Sequence, residues 1–418
     1  MIAPTEITNT SLLKEEHMWH TEMAGIVTIT FVRGKNVSDN LKKRLVDVAQ
    51  ANPWICGHLT KGSPYHNLNI PTAEHAAKTV IERCFQEVSV AEQENTITLE
   101  TPYSNICKTL KPYQTSKGNK LINQANESLF KVVVFKTPED GLNAIMVDLS
   151  HVIADAGTYY AIFNMLNPAA EIITMNPQRK MELGSTGKQF QNLAGTKEAN
   201  LPFGMGYMCN LIGSLMCGPK RTARAYKINM DKIADAKQKI DKSKVEFVST
   251  NDLITSEFAN ISKPKLMQMA VDLRPHLTGL DKNDAGMYVS DLFFASKDDY
   301  SQPEAIRMAL TNGRLRRAGH IFTGSGKESS IPGCCGVCCG TISMVTNWGS
   351  GQIDMSWGED VVQELHLPIE IQMPVDVAMI FKYQPGKLGV ILFTAKPPVF
   401  GENSQFGEPL APKIFGVS

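Results

Sequence analysis

The sequence predicts an α/β protein of two layered halves, and three observations carry that prediction. Apolar runs of strand length alternate with segments whose apolar residues recur at helical spacing. A glycine-frequent stretch from about Ser185 to Lys220 interrupts the pattern near mid-chain. With 418 residues, 43% of them hydrophobic, the chain can bury more than one sizeable core. The expected division is residues 1–185, a crossover connection at 186–220, and a second half at 221–418.

The elements follow in order. Residues 25–32, GIVTITFV, are rich in β-branched side chains and read as a strand. Ser38 is placed to cap a helix that carries Leu41, Leu45, Val48 and Ala49 on one face and stops at Asn52-Pro53. Residues 129–135 and 144–149 read as further strands, and Tyr159, Ile162, Phe163 and Leu166 mark the helix after them. In the second half, residues 251–262 read as a helix, and 265–273, 340–345, 375–381 and 388–394 as strands.

Charge and targeting signals narrow the function. Lys plus Arg and Asp plus Glu both number 42, so no net field draws nucleic acid to the chain. The first 20 residues lack a basic stretch followed by an apolar core, which predicts a cytoplasmic protein. Residues 201–218, LPFGMGYMCNLIGSLMCG, are uncharged, but Pro202 and four glycines make a poor membrane-spanning helix. The nine cysteines, an odd number, are expected to stay thiols in such a compartment.

The stretch LSHVIADAGTYY, residues 149–160, carries the chemistry. His151, Asp155 and Gly157 lie between a predicted strand and a predicted helix, where rigid flanks hold functional groups. A histidine near neutral pKa can take a proton from a hydroxyl, thiol or amine as that group attacks a carbonyl. Asp155 could orient the ring directly or brace the turn through another partner. The bland alternative is a partly buried histidine beside an ordinary helix-capping aspartate.

Other segments agree with this one in order and spacing. SHVIADAG resembles the His-x-x-x-Asp-Gly signature of the BAHD acyltransferases, relatives of chloramphenicol acetyltransferase and of peptide-synthetase condensation domains. Ala156 stands where the signature's glycine usually follows, with Gly157 one place later. TNW at Thr346–Trp348 and DMSWG at Asp354–Gly358 are similar to the family's Thr/Ser-x-Trp and Asp-Phe-Gly-Trp-Gly blocks, with Met355-Ser356 replacing Phe-Gly. VSTNDLITS (248–256), VDLRP (271–275) and NPWICGHL (52–59) resemble further blocks, so the resemblance spans about residues 20–395.

The resemblance implies two chloramphenicol-acetyltransferase-like layered domains with an active-site channel between them. It implies a CoA-dependent O- or N-acyltransferase that uses acyl-CoA as co-substrate, with no metal and no permanently bound cofactor. His151 would be the general base, and Thr346 and Trp348 the oxyanion donors. Asp155 would be a structural partner of Arg274, while Gly157, Asp354, Trp357 and Gly358 would shape the site. Ser249 and Thr250, in the VSTNDLITS block, are the candidate CoA contacts. The acceptor would be a small molecule, apolar in one reading, and the protein a monomer. Two alternatives stand beside this reading: a binding or regulatory protein on the same fold, and a condensation-like enzyme fed by a carrier protein. The latter usually has a second histidine where this chain has Ser150.

Four further groups are weighed. Cys335 and Cys338 form a C-x-x-C inside the Cys334–Cys339 cluster, but no second ligand pair lies near, which favours packing over metal or redox chemistry. His17 and His20 are candidates for the channel wall. Met205, Met208 and Met216 are candidates to line an apolar acceptor site. Arg314, Arg316 and Arg317 could meet CoA phosphates, though such clusters are more often solvated surface.

Overall fold

The computed structural model describes residues 8–18, 23, 25–122, 124, 126–295, 297–311, 315, 337–338, 340–369 and 374–416. The strands in chain order begin with β1 (Thr8–Ser11), β2 (Gly25–Arg33), β3 (His58–Thr60), β4 (Asn67–Ile70) and β5 (Phe85–Val88). There follow β6 (Phe130–Lys136), β7 (Leu142–Ser150), β8 (Thr222–Ile228), β9 (Leu266–Asp272) and β10 (Val289–Phe294). The last are β11 (Ile342–Asn347), β12 (Val362–Pro368), β13 (Asp376–Gln384), β14 (Lys387–Thr394) and β15 (Phe406–Pro409).

They form a three-stranded sheet β1-β4-β3, a five-stranded sheet β12-β2-β7-β6-β5, and a seven-stranded sheet β10-β9-β11-β13-β14-β8-β15. β7 is buried at every position, as its unbroken apolar run requires of a central strand covered on both faces. The two larger sheets share one core: Phe31, Phe135 and Met146 of the first meet Leu266, Phe293 and Phe381 of the second. Helix Thr250–Ser262 covers the other face of the seven-stranded sheet, packing with Met267, Met269 and Val345.

One strand changes sheet. β12 comes from the second half of the chain but pairs antiparallel with β2, in the sheet otherwise built from the first half. The two halves are therefore stitched by backbone hydrogen bonds.

Two expectations need correction. Ser38 lies inside the first long helix, Val37–Ala51, whose N-cap is Asn36 in the left-handed region. The buried face is the expected one, with Leu41, Leu45, Val48 and Ala49 inward. The supposed loose crossover contains a helix, Met205–Cys217. Tertiary bonds hold it where no amphipathic pattern announces it: Asn210 donates to the carbonyls of Val337, Cys338 and Gly340, and Gln268 donates to Tyr207 Oη. Met205 and Met216 are 73% and 78% exposed, so they face outward and line no enclosed site.

Candidate active site

His151 opens the turn between β7 and helix Ala156–Met165. Its Nδ1 lies 3.0 Å from the Ala154 carbonyl. A carbonyl only accepts, so in the neutral ring Nδ1 carries the proton and the lone pair sits on Nε2. The ring is thus oriented by backbone of its own turn, three residues on.

Asp155 is both the helix cap and one half of a buried ion pair. Its Oδ1 accepts from Thr158 N at 2.7 Å, and its Oδ2 accepts from Tyr288 N at 2.9 Å. Arg274 reaches both oxygens, Nη1 to Oδ2 at 2.9 Å and Nη2 to Oδ1 at 3.2 Å. Burial pushes the Asp155 carboxyl pKa up, but the Arg274 charge and these bonds overcome it and hold the group below its usual value. Burial likewise opposes the Arg274 charge, and Asp155 with Asp272 keeps it protonated. A side chain at Gly157 would start 3.2 Å from Arg274 Nη1 and 3.3 Å from Asp155 Oδ1, so the small residue fits the pair.

A second ion pair reaches the same turn. Arg179 Nε contacts both carboxylate oxygens of Glu16, and both side chains are fully buried. Arg179 also donates to the carbonyls of Ile153, Pro177 and Ala285, while Glu16 accepts from the amides of Leu13 and Met287. The Gly286 carbonyl in turn accepts from Arg274 Nη2 and Thr158 Oγ1. Sequence reasoning missed Glu16, Arg179, Thr158 and Tyr288, because no local motif marks them.

The second motif region meets the helix after Asp155. Thr346, near the end of β11, is partly accessible and pairs with Met379 on β13. Trp348 is buried, its ring edge-on to Tyr160 at 6.1 Å. Asn164 of the same helix donates to the Gly351 carbonyl and accepts from Ile353 N. Tyr160 Oη lies 3.2 Å from His366 Nε2, whose Nδ1 is 2.8 Å from Thr30 Oγ1. Burial lowers the His366 pKa to about 3, so this ring is neutral.

The remaining expected residues fall at specific structural points. Trp357 is buried on Phe163 and donates to Gln363 Oε1, while Gly358 has φ +132°, which favours glycine. Asp354 is exposed and accepts from Lys382 Nζ and Gly386 N at the β13–β14 turn. Ser249 caps helix Thr250–Ser262 through a reciprocal bond with Asp252, and the Thr250 hydroxyl accepts from Lys237 Nζ. His17 packs against Tyr65 and His66, with ring centroids 5.7 and 4.1 Å away. His20, Arg314, Arg316, Arg317, Cys334, Cys335 and Cys339 lie outside the described residues. Cys56, Cys84, Cys209 and Cys217 are free thiols. Among the described residues no helix is long and apolar enough to cross a membrane.

No family model matches the chain, and no curated protein matches it by sequence. Solved structures do match over nearly its whole length. TRI101 of F. sporotrichioides, complexed with coenzyme A and T-2, superposes with TM-score 0.59 at 13% identity, covering 92% of this chain and 94% of that one. Polyketide synthase associated protein 5 of Mycobacterium tuberculosis gives 0.52 at 14% identity, with coverage of 94% and 93%. The first condensation domain of the CDA synthetase gives 0.52 at 10% identity, with coverage of 94% and 92%. The fold is that of the two-lobed, chloramphenicol-acetyltransferase-like proteins, as the resemblance to BAHD acyltransferases and condensation domains implied.

Proposed function

We propose that the protein transfers an acyl group from acyl-CoA to a hydroxyl or amine of a small-molecule acceptor. Residues 1–185 and 221–418 would form the two lobes, joined by 186–220, with the reaction channel between them. The observation that carries the reading is the His151 turn: Nδ1 is held by the Ala154 carbonyl, which turns the Nε2 lone pair into the base.

In this mechanism Nε2 removes the acceptor proton as the acceptor oxygen or nitrogen bonds to the thioester carbon. The carbonyl oxygen becomes an oxyanion, which the Thr346 hydroxyl and the Trp348 indole N–H stabilise by about 2.7–4 kcal/mol per donor. Collapse breaks the C–S bond, and the imidazolium returns its proton to the CoA thiolate. No acyl-enzyme forms, and CoA leaves as a product. Ser249 and Thr250, both at the start of helix Thr250–Ser262, are the proposed CoA contacts.

The test follows CoA thiol release from acetyl-, malonyl- and long-chain acyl-CoA in the presence of host-extract metabolites, with mass spectrometry of products. Acylated products should form with wild-type protein and fall by roughly 10²–10⁴-fold in His151→Ala. Equal turnover in the two proteins would sink the mechanism.

A further inference from the structure

The inner face of the seven-stranded sheet carries polar side chains around Ala270. Asp291 on β10 pairs with Ala270 on β9, and Met344 on β11 pairs with Gln268. Paired residues share a face and alternate residues return to it, so Asp291, Ala270, Gln268 and Thr346 lie on one side. Leu266, Phe293 and Ile342 belong to the same alternation and lie in the core shared by the two sheets, which identifies the inner side.

Two acceptors on this face lack donors. Gln268 is buried, its Nε2 spent on Tyr207 Oη, and its Oε1 has no hydrogen-bond partner among the described residues. No described residue bonds to the Asp291 carboxylate, and burial pushes its pKa up to about 6, so it is still charged at neutral pH. Asp291, Ala270 and Thr346 remain partly accessible, so a ligand can reach this part of the face. A partly buried carboxylate with no counter-charge among the described residues gains from a ligand that supplies one.

We propose that Asp291 and the Gln268 side-chain carbonyl bind a cationic amine carried by the acceptor, at the end remote from the group that is acylated. The inference rests on the acyl-transfer reading above. Neighbouring strands lie about 4.8 Å apart, so two spacings separate Asp291 from Thr346 by roughly 10 Å, the span of about six methylenes between two end groups. The acceptor class is then an amino alcohol or diamine of that length. Its ammonium end donates to Asp291 and Gln268, while its neutral end gives a proton to His151.

Kinetics with acetyl-CoA and two acceptors of equal length, aminohexanol and hexanediol, test this. Wild-type protein should prefer aminohexanol, and Asp291→Asn should raise its KM by roughly 10–100-fold, the range of a charge-assisted hydrogen bond, and erase the preference. Equal use of both acceptors by wild type, or an unchanged KM in Asp291→Asn, overturns the site. Absence of His151-dependent CoA release with any acceptor counts against acyl transfer instead. The cation site is then judged by calorimetric titration of hexamethylenediamine into both proteins, where saturable heat lost in Asp291→Asn supports it and equal heats overturn it.

Discussion

The Arg274 guanidinium, 119 residues along the chain from Asp155, grips both oxygens of its carboxylate. Asp155 caps the helix behind His151, while Arg274 also binds the Gly286 carbonyl and Asp272. The aspartate therefore acts on the turn, and the His151 ring takes its orientation from Ala154. Capping and ion pairing, read from the sequence as competing roles, are performed by the same carboxylate.

Arg274→Ala leaves the buried Asp155 carboxylate without its counter-charge, at a cost of roughly 3–5 kcal/mol, whereas after Asp155→Ala the guanidinium keeps only the half-exposed Asp272. Asp155→Ala and Arg274→Ala should each lower the urea midpoint and the rate of CoA release. His151→Ala should lower the rate with little change in midpoint, since its ring is partly accessible and its Nδ1 bonds the backbone of its own turn. Loss of stability in all three variants alike would show that the turn has no separable brace.

Thr346→Ala should reduce kcat more than it weakens substrate binding. An oxyanion donor acts on charge that develops only in the transition state. Steady-state kinetics decide it, because a raised KM with kcat intact would make Thr346 an ordinary binding residue.

What was legible in the sequence had local signals. β2, β6 and β7 were found because buried strands are written as apolar, β-branched runs, and β9 was read as a strand across 265–273. Arg274 was reachable only through the family resemblance. Glu16 and Arg179 were not reachable, since a contact between residues 163 apart leaves no periodicity and no motif. β12 was hidden for a related reason: its partner β2 lies in the other half, and pairing across halves has no local signature. Helix Met205–Cys217 was hidden because its polar side chains face inward, against the pattern of a surface helix.

Asp148, on β7 three residues before His151, should make stability fall as pH rises. Its carboxylate is buried and accepts from Thr115 N and Oγ1, and burial raises its pKa to about 7 despite those bonds. The folded state thus binds a proton more tightly than the unfolded chain, whose aspartate titrates near the ordinary value of about 3.9. Stability from this proton is full below pH of about 4 and is lost as pH rises through about 7. Asp148→Asn keeps an acceptor for Thr115 N and should remove the slope. Urea unfolding of both proteins between pH 4 and 8 should give curves that converge at low pH, with the variant the more stable at high pH. Parallel curves would assign Asp148 an ordinary pKa.

Glu16 and Arg179 give the sharpest test of the brace, because their pair is wholly buried and ties the Ile153 and Ala285 carbonyls together. Burial pushes the Glu16 pKa up even with Arg179 in place, and the arginine's charge and bond only partly oppose it. Arg179→Met should therefore strand a buried carboxylate at high pH, costing roughly 3–5 kcal/mol. At low pH Glu16 takes up a proton and the stranded charge disappears, so the deficit against wild type should shrink as pH falls. Glu16→Gln combined with Arg179→Met removes both charges and should recover much of the loss at pH 8, as neutral replacement of a buried pair often does. A deficit independent of pH, and no recovery in the double variant, would mean that Arg179 acts through its carbonyl contacts rather than through the charge of Glu16.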